Sequence, residues 1–248
     1  MANPYESGKL LSEYLFFHYA TPDEVSGGLP VPESALDFPV RVVRELIDPL
    51  LPAARALDVG CAVGRSSFEL ARTVPLVVGV DFSSAFIAAA IGLKTIGSAH
   101  CTVVVEGTNM KDLTVSVPVD VDRSRVDFQT GDAMDLPCHL EQFDVVLAAN
   151  LICRLPEPKK FLSRLPALVR PGGQLLLATP FSWLKEYTAE AHWLGGRDGG
   201  GASFDVLRSI LKPHFELQLT KELPFLIREH ARKFQYCISL GSRWIRRA

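Results

Sequence analysis

The stretch ALDVGCAVGRSSFELA, Ala56 to Ala71, sets a glycine-bearing turn between a short apolar run and a helical pattern. A dinucleotide fingerprint in such a place reads G-x-G-x-x-G or A: one glycine for the turn, one for close approach of pyrophosphate, one for helix packing. With Gly60 on the central glycine, Asp58 falls on the first position and Val63 on the last, and both misfit. A carboxylate at Asp58 directs negative charge at the place a pyrophosphate would occupy. The pattern D-x-G-x-x-x-G, through Asp58, Gly60 and Gly64, therefore favours a ligand that carries positive charge.

The same rhythm continues downstream. LVVGVDFS is a β-branched apolar run closing on Asp81, followed by the alanine-rich helical stretch SAFIAAAIGLKTIG. VDFQTGDAMDLP is a third strand and loop, FDVVLAANL a fourth strand, PKKFLSRLPALVRPGG a helix closed by Pro171 and Gly172, and QLLLATPF a fifth strand. Strands alternating with helices in this way predict an α/β fold whose sheet is parallel and covered by helices on both faces. Asp81 then stands where a carboxylate accepts ribose hydroxyls, and Asp132 where it meets an adenine edge. Acids at three successive strand ends, with no phosphate cradle and tolerance of a sulfonium, point to S-adenosylmethionine.

The division expected along the chain is a single domain, 1–248. Residues 1–50 form a helical segment that contributes to an acceptor pocket, and 51–181 the cofactor-binding core. CTVVVEGTNMKDLTVSVPVDV lies in an inserted hairpin, 98–125, and the aromatic, glycine-rich 182–202 is a lid candidate. A C-terminal helix, SFDVLRSILKP, a strand, HFELQLTKELPF, ending at Phe225, and a last strand around KFQYCISLGSRW occupy 203–248. The segment ATPDEVSGGLPVPES reads as a loop, and DFPVRVVRELIDPLLP as a helix ending near Pro49 or Pro52.

Composition narrows the class. With 248 residues, 48% hydrophobic and 22% charged, the chain has a globular profile. A formal charge of -2 gives no basic field for nucleic acid. Five scattered cysteines without a C-x-x-C pair argue against a disulfide framework and a zinc cluster, so no metal is expected and a reducing cytoplasm is the simplest home. The N-terminus lacks the pattern of a signal peptide, and no stretch approaches the roughly eighteen apolar residues of a membrane span.

ALDVGCAVGRSSFELA, VVGVDFS, TGDAMDLP, FDVVLAANL and LVRPGGQLLLATP resemble, in order and spacing, the motifs of class I S-adenosylmethionine-dependent methyltransferases. That resemblance implies a Rossmann-like fold with a mostly parallel seven-stranded sheet, helices on both faces and an antiparallel C-terminal strand, and a cofactor site of Asp58, Gly60, Cys61, Ala62, Gly64 and Arg65 beside the methionine part, with Asp81 at the ribose. It implies Phe82, Ser83, Asp132 and Ala133 around the adenine, and Asn150 and Leu151 at the mouth of methyl transfer. A narrower resemblance rests on NPYESGKLLSEYLFFHY, FPVR, AANLICRLPEP, WLGG and PFLIREHARKFQY. These look like the methyltransferase domain of ovothiol biosynthesis, the 4-mercaptohistidine N1-methyltransferase family. This implies 5-thiohistidine as the small-molecule acceptor, methylated on its imidazole to give ovothiol A. It also implies a functional link to a sulfoxide synthase and a lyase of the same pathway.

Such an acceptor carries a carboxylate, which suits a bidentate arginine. Arg41, Arg65, Arg154 and Arg228 are candidates, with Tyr14, Phe17, His18, Tyr19, Trp183 and Trp193 as ring walls. Asn150, Arg154, His230 and Tyr14 are the candidates for orienting the imidazole or moving its proton. Each also has a plain structural reading: arginines as helix-end charges, N-terminal aromatics as core, His230 as a hydrogen-bonded structural histidine, Cys61 as a small packing residue. Competing functions are a class I methyltransferase for another acceptor and a noncatalytic S-adenosylmethionine-binding module. A nicotinamide oxidoreductase is disfavoured by Asp58 and Val63.

Overall fold

A computed structural model describes residues 4–136 and 140–248. In chain order the helices are α1 (Gly8–Tyr19), α2 (Pro22–Ser26), α3 (Phe38–Leu46), α4 (Arg65–Leu70), α5 (Ser84–Ile96), α6 (Pro158–Leu168) and α7 (Ser203–Leu211). The strands are β1 (Arg55–Val59), β2 (Leu76–Asp81), β3 (Ser98–Glu106), β4 (Asn109–Ser116), β5 (Val126–Thr130), β6 (Phe143–Ala149), β7 (Val169–Thr179), β8 (Phe215–His230) and β9 (Lys233–Arg246).

Seven strands form one sheet in the order β5-β2-β1-β6-β7-β9-β8, and β3 pairs with β4 in a separate antiparallel hairpin. The five strands from β5 to β7 run parallel, whereas β9 lies antiparallel to both β7 and β8. The predicted mostly parallel sheet is therefore present. Its central strands are buried on both faces, which is why RALDV and FDVVLAA read as continuous apolar runs. Alternate residues divide the core: Ala56, Val145 and Leu147 face α3 and α4, whereas Leu57, Val146 and Ala148 face α6 and α7.

Four local readings differ from the sequence expectation. α3 stops at Leu46, because Asp48 precedes Pro49 and is pushed out of helical backbone. The loop at 20–34 contains α2, started by a capping box in which Thr21 and Glu24 satisfy each other's backbone N–H groups. Pro171 and Gly172 do not close α6. That helix ends at Leu168, and the Pro-Gly-Gly stretch bulges inside β7, where pairing jumps from Phe143–Val169 to Val145–Gln174. β8 continues to His230, five residues past Phe225; Pro224 is tolerated because β8 is the edge strand.

The extension of β8 and β9 braces the N-terminal helices. Phe17 lies 6.2 Å from Phe38 and 6.1 Å from Phe225. Arg228 donates to Glu24 O at 2.5 Å and sits over the Phe16 ring, while Ala231 N–H donates to Val105 O of β3. α1, α2 and the two hairpins thus make one cap. No helix among the described residues is long and apolar enough to cross a membrane.

Candidate active site

The glycine turn closes β1 against β2. Gly60 N–H and Cys61 N–H both donate to Val80 O, at 2.8 and 3.1 Å. Ala62 takes a left-handed backbone, φ 49°, and its N–H donates to Asp81 Oδ2 at 2.9 Å. The other oxygen of Asp81 accepts Ser83 N–H at 2.9 Å, so one carboxylate fixes both the turn and the start of α5. Burial raises its pKa, against the two backbone hydrogen bonds. Gly64 opens α4 at φ 86°, and the Phe128 ring lies where a Cβ would stand, 2.5 Å away.

Asp58 is 1% exposed and accepts a hydrogen bond from Ser67 Oγ at 2.7 Å. Burial, reinforced by Asp81 and opposed by the Ser67 hydrogen bond, pushes its carboxyl up to about 7. The folded protein holds this proton up to near neutrality, whereas an unfolded aspartate releases it from about pH 4. Stability from this group therefore falls as pH rises from about 4 to 7, and the cost is complete above 7. Asp58→Asn is expected to raise unfolding free energy at pH 8 by about 2–4 kcal/mol and by much less at pH 5. Urea titrations at the two pH values check it; an equal shift at both overturns it.

Asn150 follows β6 with φ 53°, its N–H on Ala178 O and its Oδ1 accepting from Ser239 Oγ at 2.6 Å. Two non-glycine residues in left-handed backbone, Ala62 and Asn150, flank the same strand ends, where strain of this kind accompanies ligand sites. Leu151 packs on Gly60, 3.0 Å from the position of a Cβ there. Asp132 caps a 3-10 turn through Met134 N–H, Ala133 is buried, and Phe82 is 63% exposed. Cys61 is buried, and burial raises its thiol far above the ordinary range.

The four arginines separate. Arg41 pairs with Glu45 and donates to Pro224 O; Arg65 pairs with Glu69, which also holds Arg44 and Arg72. Arg228 is bound to carbonyls of α2. Arg154 stands beside the cluster of Tyr5, Tyr14 and Tyr187, with its guanidinium 5.0 Å from the Tyr187 ring centre. Tyr14 reaches Phe86 at 4.7 Å and Tyr5 at 6.0 Å. Tyr19 donates to Val63 O at 2.7 Å, tying α1 to the glycine turn. Beside it, burial holds the His18 imidazole down to about 3, and its buried Nδ1 has no hydrogen-bond partner.

Other expected residues lie elsewhere. His230 sits at the turn between β8 and β9, where its Nδ1 accepts Arg232 N–H; the longer β8 carries it to the hairpin tip. Phe17 packs into the cap core. Trp183 and Trp193 stack at 6.4 Å and line an open cavity of about 700 Å³ whose walls include neither Asp81, Asn150 nor Arg154. The segment around them is fastened by Trp183 Nε1 on Ser203 Oγ, Trp193 Nε1 on Thr188 O and Thr188 Oγ1 on Leu155 O. Tyr5, Tyr187 and Ser239 were not singled out from sequence. Tyr187 lies in an irregular segment, and Ser239 comes from a strand almost ninety residues away, so no local pattern marks them.

The family model for the methyltransferase domain matches residues 57–177, the span from β1 to β7. That span is just under half of the chain. The chain is 26% identical over 129 residues to a ubiquinone biosynthesis O-methyltransferase of Coxiella burnetii, covering 52% of this chain and 44% of that protein. It is 29% identical over 128 residues to a demethylmenaquinone methyltransferase of Renibacterium salmoninarum, covering 52% and 42%. The chain thus spans less than half the length of these curated relatives. Among solved structures, an S-adenosylmethionine-dependent methyltransferase from Aquifex aeolicus superimposes with a TM-score of 0.53 at 16% identity, covering 96% and 98% of the two chains. The N-methyltransferase NodS of Bradyrhizobium japonicum, in complex with S-adenosylhomocysteine, gives 0.53 at 14% identity, covering 95% and 98%. The fold is that of the class I methyltransferases.

The donor set at these strand ends fits S-adenosylmethionine. Asp58, buried, and Asp81, half-buried, place two acids beneath the glycine turn, and the orphaned Nδ1 of His18 lies next to the residue that grips the turn. Asp81 retains lone pairs for hydroxyl donors beyond its two backbone partners.

Proposed function

We propose that the protein transfers a methyl group from S-adenosylmethionine to a small-molecule acceptor, and that the acceptor is 5-thiohistidine, methylated on an imidazole nitrogen to give ovothiol A. The first half rests on buried Asp58 and half-buried Asp81 under a glycine turn, an environment suited to a sulfonium and hostile to a pyrophosphate. The second half rests on the cap. Segments quoted for the ovothiol resemblance, α1, the start of α3 and the β8–β9 tip, pack on one another through Phe17, Phe38, Phe225 and Arg41.

The cofactor supplies an electrophilic methyl on a good leaving group. A neutral imidazole nitrogen brings its own electron pair, so a strong base is not required, and the proton on the other nitrogen leaves to solvent after transfer. The protein's contribution is alignment, which lowers such barriers by about 7–11 kcal/mol. Asn150, held by Ser239 and Ala178, and Tyr14, held against Phe86, are the positioned groups proposed for that task. The sulfoxide synthase and lyase of thiohistidine formation would be metabolic neighbours.

Incubation with S-adenosylmethionine and 5-thiohistidine, followed by mass spectrometry, is expected to show a singly methylated product and S-adenosylhomocysteine in equal amounts. Turnover of demethylmenaquinone instead, the compound in the name of one relative, overturns the acceptor and leaves the class.

A further inference from the structure

Arg154 ends the 3-10 turn Ile152–Arg154 that follows β6 and Asn150. One nitrogen, Nη1, is held by Ser182 O at 3.0 Å and Cys153 O at 3.2 Å. The guanidinium lies on the Tyr187 ring. Tyr187 is 6.4 Å from Tyr5, Tyr5 is 6.0 Å from Tyr14, and the charge of Arg154 acts on the titration of both Tyr5 and Tyr14. Asp81 also acts on Tyr14, so this cluster adjoins the cofactor acid.

Among the described residues no carboxylate pairs with Arg154, in contrast to Arg41 and Arg65. A half-buried guanidinium without a counter-ion is unfavourable, and removing its water favours an incoming anion. Stacking on a tyrosine leaves the in-plane N–H groups of a guanidinium available for a carboxylate fork. Burial also keeps the neighbouring phenols protonated, pushing Tyr14 up to about 12, so they remain hydrogen-bond donors.

We infer that Arg154, stacked on Tyr187 and flanked by Tyr5 and Tyr14, receives the α-carboxylate of the acceptor and restricts the site to amino-acid acceptors. This rests on the methyl-transfer reading above. A neutral phenol or quinol would leave the guanidinium unpaired. Tyr187 acts as a positioning residue: its ring holds the guanidinium plane while Ser182 O fixes one edge.

The test measures binding of three probes to protein loaded with S-adenosylhomocysteine, beside turnover. They are 5-thiohistidine, histidine, which lacks the thiol, and the decarboxylated amine of 5-thiohistidine, which lacks the carboxylate. Calorimetry is expected to show both acids binding at least about thirtyfold more tightly than the amine. Arg154→Met is expected to erase that preference by weakening the acids, to leave the amine within about threefold, and to leave S-adenosylhomocysteine affinity unchanged. Tyr187→Phe should keep the preference and Tyr187→Leu should reduce it through KM rather than kcat. A preference that follows the thiol, a preference that survives Arg154→Met, or no binding of any probe overturns the inference. Carboxylate preference without methyl transfer leaves the clamp and sinks the acceptor reading. Methyl transfer without the preference does the reverse.

Discussion

Asp81→Ala is expected to weaken S-adenosylmethionine binding by about a hundredfold or more, the largest effect of any single change at the cofactor acids. The carboxylate is proposed to hold the ribose hydroxyls, and hydrogen bonds to a charged partner contribute about 1.5–3 kcal/mol each. It also accepts Ala62 N–H and Ser83 N–H, so its loss frees the turn and the start of α5 together. Asp81→Asn should retain one acceptor oxygen and lose less. Calorimetric titration checks both variants, with thermal unfolding as the control for folding. Unchanged affinity in Asp81→Ala would count against this placement of the ribose.

Gly64→Ala is expected to cost about 2–4 kcal/mol of stability, because two independent penalties meet at one residue. The backbone is at φ 86°, where a side chain is strained, and the added Cβ would lie 2.5 Å from Phe128 Cζ. Phe128 cannot retreat. Its ring also occupies the place of a Cβ at Gly79, 2.6 Å from Cδ1, and meets Phe68 edge-on at 5.4 Å. Urea unfolding of Gly64→Ala, Phe128→Leu and the double variant separates the terms: the smaller side chain should recover the steric part and leave the backbone part. Strict additivity of the two losses would show that the ring is not what excludes a side chain from the turn.

Much of this was legible before the fold was known. Continuous apolar runs with glycine and acid punctuation identified the strand ends, since β1, β2 and β6 are apolar on both faces and Asp58, Asp81 and Asn150 lie at their carboxyl ends. The short helix α2 was also written in sequence, as Thr21-Pro-Asp-Glu24, and was obscured by the glycines and prolines around it. Other features were not readable locally. Whether an arginine is a ligand or a brace depends on what stands opposite it, and Arg41, Arg65 and Arg228 meet partners from elements distant in sequence or one turn on. The length of β8 depends on β9 and on the cap it supports, not on its own residues. Tyr5 and Tyr187 come together from opposite ends of the chain.

The strand order has a consequence in time. β9 lies between β7 and β8, although both are synthesised before it. A nascent chain can form the β1–β2 turn and seat Asp81 early, yet Ser239 can reach Asn150 only after β9 has left the ribosome and inserted between strands already made. The end of β6 that carries Asn150 is therefore the last part of these strand ends to acquire its shape, and a chain stalled before residue 239 would carry Asp58 and Asp81 without the contact that orients Asn150.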